Sequence, residues 1–277
     1  MIAISAESTI DMPEELLSRF DIHTVPFTVI MGDKDYFDGK INSDEIFKFV
    51  TMNKVLPMTS AVNEYQYENH FKKLLSSYDA VVHISLSSKI SSAYQNARNV
   101  ASKFDNVFVV DSQSLSTGIA LLAIKASIWA KDGKDAKTIA SDLENLRKKV
   151  QASFVLDKLD YLYKGGRCSA LSKFGANLLR IKPQILVKDG TMQVGKKYMG
   201  SFNSCAKKYI DDTLLQFPAR DNDVAFFTYT TASDDIIDYA KKKLKNAGFE
   251  NIFVTRAGAT ISSHCGPNTL GVLFITK

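Results

Sequence analysis

The stretch Ala80-Val81-Val82-His83-Ile84-Ser85-Leu86-Ser87-Ser88-Lys89-Ile90-Ser91-Ser92-Ala93-Tyr94, followed by Val107-Phe108-Val109-Val110-Asp111-Ser112, decides the fold. Ala80 to Ser85 is an apolar run of strand length, a helical pattern opens at Ser91, and Val107 to Val110 again reads as a strand. Strand, helix, strand in that order predicts an α/β protein with a parallel sheet. Ligands of such sheets sit outside the carboxyl ends of the strands. Ser85, Ser87, Ser88, Ser91, Ser92 and Asp111-Ser112 all fall at those ends and are therefore placed for a site.

Upstream, Ile2 to Ser5 and Val25 to Met31 read as strands, with helices from Pro13 and near Ser43 and Glu64. At Pro13 the expected cap is Asp11, with proline in the first turn and Glu14-Glu15 matched to the helix dipole. Downstream, Ser116 to Lys131 and Asp135 to Val150 predict a helical hairpin broken at Asp132-Gly133-Lys134, where glycine can turn left-handed. The hairpin closes a first, parallel-sheet α/β domain over residues 1–152. Residues 153–277 are expected to form a second, smaller α/β domain. Its strands are read at Ser153-Phe154-Val155, Pro183 to Val187, Val224 to Tyr229, Ile252 to Thr255 and Leu270 to Thr276. Its helices are read at Leu159 to Lys164, Phe202 to Leu215 and Asp234 to Ala247.

Length and composition agree: 277 residues, 45% of them hydrophobic, can bury a substantial core. The net charge of +5 is spread over 35 basic and 30 acidic residues, with no basic block longer than Lys241-Lys242-Lys243, so no nucleic-acid stripe is present. Cys168, Cys205 and Cys265 are odd in number and widely spaced, which suggests neither a disulfide framework nor a cysteine-rich zinc site and predicts a reducing, cytoplasmic location. Met1 runs directly into Ile2-Ala3-Ile4 without the pattern of an export signal. The longest apolar stretch, Gly118 to Ala130, is too short to span a bilayer and is expected to be a buried or amphipathic helix.

Four groups of residues could do chemistry. Helix-opening Ser91 and Ser92 offer hydroxyls beside free backbone N–H groups, a setting that favours an anion, although serine there also caps helices. Thr59-Ser60 precedes another helix and has the same two readings, with Asn63 or Glu64 as helpers of a cap. His264, in Ser262-Ser263-His264-Cys265-Gly266-Pro267, reads as a loop residue between strands, an ordinary surface histidine or a donor to an oxyanion. Gly165-Gly166-Arg167 is either a helix stop or a close backbone approach with an arginine aimed at an anion. The familiar nucleotide, zinc and hydrolase motifs are not found.

Taken in order, Glu7-Ser8-Thr9-Ile10-Asp11-Met12-Pro13, Tyr36-Phe37-Asp38-Gly39, Pro57-Met58-Thr59-Ser60, Ser87 to Gln95, Asp111-Ser112, Gly165-Gly166-Arg167-Cys168-Ser169, Ile181-Lys182-Pro183, Asp189-Gly190 and His264-Cys265-Gly266-Pro267 resemble the DegV family of fatty acid-binding proteins. The resemblance spans almost the whole chain. It implies two α/β domains, a long-chain fatty acid threaded into the first as the bound ligand, and its carboxylate at the domain junction on Thr59, Ser91 and His264. Ser60, Ser92 and Arg167 would be neighbours of that site. It further implies no metal, no catalytic residue, and a separate fatty acid kinase that phosphorylates the presented acid, with transient contact at a membrane surface. The chain departs from the usual pattern around the rim: Ala61-Val62-Asn63 stands where Gln-Pro-Ser is common, and Ile90, Ser92 and Ala93 replace Leu, Gly and Thr. Lys196 to Gly200 occupies a region where relatives commonly carry an arginine.

The physics suits a carrier. Each buried methylene is worth about 0.8 kcal/mol, so roughly 14 of them offer on the order of 11 kcal/mol before ordering and desolvation costs. Neutral donors can satisfy the carboxylate while leaving one oxygen free to attack a phosphoryl group, which a bidentate arginine would not. Two other functions use the same residues. A hydrolase would take Ser91 or Ser92 as nucleophile and His264 as base. A carrier of another apolar acid or small anion would suit the altered rim.

Overall fold

The computed structural model describes residues 1–168 and 181–277; Ser169, one of the residues carrying the resemblance, lies outside them. Strand β1 (Ile2–Glu7) is flanked by β2 (Ile22–Val25) and β6 (Ala80–Ser85), and β7 (Val107–Asp111) completes a four-stranded sheet in the order β2-β1-β6-β7. Every pairing in it is parallel, as the strand-helix-strand pattern predicts. Helix α4 (Ala93–Ala101) makes the β6-to-β7 crossover.

Two expectations around this sheet need correction. Val25 to Met31 is not one strand. Pro26 ends β2, and Thr28–Met31 becomes β3 of a separate antiparallel sheet with β4 (Lys34–Phe37) and β5 (Met58–Ser60). Proline cannot donate to a ladder, so the chain leaves the first sheet there. Helix α1 (Glu14–Phe20) forms where expected, but Pro13 itself holds the N-cap position and Asp11 does not cap it. Asp11 is left-handed, at φ 55, and its carboxylate serves another helix.

The second sheet has six strands in the order β10-β9-β8-β13-β11-β12: β8 (Val150–Leu156), β9 (Ile181–Lys188), β10 (Thr191–Met199), β11 (Arg220–Tyr229), β12 (Asn251–Arg256) and β13 (Thr269–Thr276). Only β11 and β12 pair in parallel. Helices α8 (Phe202–Gln216) and α9 (Asp234–Asn246) pack together beside it and bury Tyr209, Ile210, Ile236 and Leu244. The sequence reading missed β10, whose alternation is interrupted by Gly195 and the Lys196-Lys197 pair at a register shift between Val194 and Lys197. The second helix of the hairpin, α6 (Ala136–Leu146), also ends earlier than expected, since Val150 already belongs to β8.

Helix α5 (Thr117–Lys131) explains the long apolar run. It packs against β1 and β6 of the first sheet and β8, β11 and β13 of the second, so it is apolar nearly all round. Leu121, Leu122 and Ile124 are almost fully buried, each contributing about 1.5–3 kcal/mol. Lys125, the charge that interrupts the run, reaches Asp221 and Asp223 at 2.9 and 2.7 Å. Among the described residues no helix is long and apolar enough to cross a membrane.

Candidate functional site

A cavity of about 550 Å3 opens between β5, the loop from β6 to α4, the segment after α7 (Asp160–Lys164) and α10 (Ala259–Cys265). Thr59, Ser60, Ser91, Ser92, Arg167 and His264 all line it. Six residues singled out from four distant segments thus meet at one place. Phe27, Leu86, Ile90 and Leu115 supply apolar wall from the first half of the chain. A narrower void of about 30 Å3 shares Leu115, Ile261 and Cys265 and lies between the start of α5 and the second sheet.

Each polar residue is placed by ordinary local physics. Thr59 lies in β5 opposite Val29, not at a helix start. The cap of α3 (Glu64–Leu75) is Asn63, whose side chain accepts from Gln66 N in a complete capping box, so the capping reading of Thr59-Ser60 fails; Thr59 Oγ1 meets His264 and Ser60 Oγ donates to Ala61 O at 3.4 Å. Ser91 Oγ accepts from Ala93 N at 3.2 Å. Ser92 holds the N-cap position of α4 without a side-chain cap bond. Arg167 is exposed at the mouth and donates to Gly165 O at 2.6 Å.

His264 is in the last turn of α10, a helix where the sequence suggested only a loop. Its Nε2 lies 2.8 Å from Thr59 Oγ1, joining residues 205 apart. Burial, with the Arg167 charge adding, pushes its pKa down to about 4, so the imidazole is neutral near pH 7. Its Nδ1 is buried and has no hydrogen-bond partner among the described residues. With the proton on Nε2, the ring donates to Thr59 and frees the threonine hydroxyl hydrogen for a ligand; only an acceptor lone pair on Nδ1 then goes unmatched. Gly165 packs against that edge, for a Cβ there would come within 2.7 Å of Nδ1 and 3.0 Å of Tyr161 O.

The other serines at the strand ends hold the scaffold. Ser85 donates to Glu7 at 2.7 Å, Ser87 to Gly190 O at 2.8 Å, and Ser88 to Asp111 at 2.6 Å. Ser112 donates to Ser114 O at 3.2 Å. Of the departing rim positions, Ala61, Ile90 and Ser92 line the cavity, Asn63 caps α3, and Val62 and Ala93 are fully buried in the core.

Sequence reasoning missed what holds α10. Asp11 Oδ1 accepts from Gly258 N at 2.8 Å, and Asp38 Oδ1 accepts from Ala259 N at 2.9 Å. The second oxygens are held by Ser116 and, at 3.1 Å, by Ser8. These acids belong to the Asp-Met-Pro and Asp-Gly segments, whose turn-like composition drew attention away from the carboxylates. Met192 of β10 also lines the cavity and was hidden with its strand. Among the described residues no three His, Cys, Asp or Glu are placed to hold a metal ion.

The whole chain, residues 1–277, matches the family described as "Uncharacterised protein, DegV family". A DegV domain-containing protein of Clostridium acetobutylicum is 31% identical over 280 residues, covering 100% of this chain and 99% of its own. The structure of a fatty acid-binding DegV family protein from Thermus thermophilus superposes with a TM-score of 0.91 at 27% identity, covering 100% of this chain and 99% of that one. A stearic acid-binding protein from Eubacterium ventriosum gives a TM-score of 0.84 at 25% identity, with the same coverage. Sequence match, sheet topology and superposition agree that this chain belongs to the DegV family.

Proposed function

We propose that this protein binds one long-chain fatty acid and presents its carboxylate to a separate fatty acid kinase. The observation that carries the reading is the meeting of Thr59, Ser91 and His264 on one cavity, with the imidazole neutral and bonded to Thr59. On this reading the three residues take the head group, Ser60, Ser92 and Arg167 stand beside it, and the acyl chain runs along Phe27, Leu86, Ile90 and Leu115 into the domain of residues 1–152. A cavity of about 550 Å3 falls within the range of roughly 300–1,000 Å3 common for small-molecule sites. The similar proteins from Thermus thermophilus and Eubacterium ventriosum, described as fatty acid-binding and stearic acid-binding, support the ligand class.

The protein acts as a substrate-presenting subunit and not as the catalyst. A hydrolase would need His264 to face a serine, and its bonded partner is Thr59. Arg167, exposed beside the cavity and donating to Gly165 O, would meet phosphoryl groups brought by a kinase. Titration of delipidated protein with stearate in a calorimeter tests the binding reading. One site per chain with a negative heat-capacity change is expected, since burial of an acyl chain lowers heat capacity. Absence of uptake, together with uptake of a short organic anion, would replace it with the small-anion reading.

Gly165→Ala offers a sharper check of the head-group geometry. The glycine has ordinary helical backbone angles (φ −68), so alanine is tolerated by the main chain. The new methyl would nevertheless press on Nδ1 of His264. Overpacking of this kind costs about 1–3 kcal/mol. Stearate affinity is expected to fall, with a drop of several degrees in the melting temperature from the same overpacking.

A further inference from the structure

Helix α10 carries His264, yet its N-terminus is held by two carboxylates from the opposite end of the chain, 247 and 221 residues away. Both converge on Gly258, where a Cβ would lie 3.1 Å from Asp11 Oδ1 and 3.1 Å from Asp38 Oδ1. Both carboxylates are nearly inaccessible to solvent, and the charge of Asp38 disfavours a charge on Asp11. We propose that Asp11 and Asp38 are positioning residues of the head-group site: together they clamp the start of α10 and so fix where His264 meets Thr59 and the bound acid. The inference rests on the fatty acid reading for its ligand, but the clamp itself does not.

The surroundings of Asp11 favour its protonated form. Burial, opposed by the bonds from Ser116 and Gly258 and reinforced by the charge of Asp38, raises its pKa to about 8. The other titratable group facing it is Cys265 of α10, whose thiol burial and Asp11 push up to about 12. Arg256, just before the helix, is engaged by Asp44. A clamped Asp11 therefore binds a proton that a solvated Asp11, at about its ordinary 3.8, would release. The clamp weakens as pH rises from the ordinary aspartate range towards about 8 and changes little above it.

The hydrogen-bond pattern separates the two acids. In Asp11→Asn the amide oxygen can accept from Gly258 N while the amide nitrogen donates to Ser116 Oγ, reproducing the protonated acid. In Asp38→Asn the amide oxygen can keep only one of the two donors, Ala259 N and the Ser8 hydroxyl; turning the NH2 towards Ser8 Oγ, which also accepts from Phe27 N, breaks the Ser8 donor bond. Asp11→Asn is thus a mimic of the clamped state, and Asp38→Asn and Asp11→Ala are lesions.

The test measures stearate release from the loaded full-length chain to excess vesicles of phosphatidylcholine at pH 6, 7, 8 and 9, with the melting temperature recorded alongside. Hydrogen exchange of the α10 amides is measured in parallel on the ligand-free chain. The parent is expected to release faster as pH rises to about 8 and then level off, Asp11→Asn to release slowly with no such rise, and the two lesions to release roughly tenfold faster or more. Amides of α10 should exchange faster in the lesions and stay protected in Asp11→Asn. A rise in Asp11→Asn matching that of the parent, or unchanged α10 exchange in both lesions, overturns the clamp. Failure of the parent to bind stearate with the exchange pattern intact overturns the fatty acid reading and leaves the clamp standing.

Discussion

Glu7→Gln is expected to destabilise the protein by about 3–5 kcal/mol, the cost of removing one partner from a buried charged network. Glu7 is fully buried at the end of β1. Its Oε1 accepts from Tyr67 at 2.6 Å, Ser85 at 2.7 Å and His83 at 3.0 Å, and its Oε2 accepts from Leu86 N at 2.9 Å. An amide has one accepting face, so a glutamine must turn its NH2 towards a donor and also loses the charge. The network extends from His83 Nδ1 through Ser5 to His70, at 3.0 and 2.7 Å, and ties β1, β6 and α3 together. It is also what holds Leu86 and the loop leading to Ser91.

The pH dependence of that deficit follows from the carboxylate. Burial alone would raise the Glu7 pKa, but His83, Tyr67 and Ser85 hold it below the ordinary 4.5. A depressed carboxylate stabilises above its unfolded pKa and loses that contribution as pH falls through the folded value. The difference in chemical-denaturation midpoint between the parent and Glu7→Gln should be largest at neutral pH and shrink below about pH 4.5. A constant difference down to acid would mean that the charge of Glu7 is not what the network uses.

The first sheet and the site were legible to very different depths. Ala80 to Ser85 and Val107 to Val110 are apolar runs whose order admits little but a parallel sheet, and they form β6 and β7. Thr59, Ser91 and His264 drew attention as residue types suited to an anion, but their convergence came from family resemblance, since nothing local links positions 59 and 264. The strand-end serines show the limit of positional reasoning. Ser85, Ser87 and Ser88 stand where ligands bind, yet each is consumed by a neighbour, a fact of tertiary packing. Glu7, Asp11 and Asp38 looked like an unremarkable strand end and two turns because their partners lie 30 to 247 residues away. The short helix α10 was hidden by its own composition: Ser262, Ser263 and the Gly266-Pro267 pair read as a loop, and only the distant carboxylates supply its N-terminal partners.

His264→Ala and Thr59→Val are each expected to weaken retention of a long-chain fatty acid by about 1–3 kcal/mol, roughly 5- to 150-fold. Thr59→Val removes a hydroxyl donor from the buried carboxylate, and His264→Ala removes the imidazole that turns that hydroxyl towards it. Because Thr59 and His264 are bonded to each other, at 2.8 Å, their effects should not add: either change removes the pairing that orients the other. The double variant should lose little more than the worse single one. Melting temperatures should fall little in Thr59→Val, a near-isosteric change at a half-buried edge position. Retention equal to the parent in both single variants would remove Thr59 and His264 from the site.

The most direct measurement is native mass spectrometry of the protein as purified, followed by solvent extraction of what it carries. The account predicts one long-chain fatty acid per chain, released on denaturation and lost preferentially from His264→Ala. A protein that purifies empty, and stays empty after incubation with stearate at micromolar excess, would contradict it.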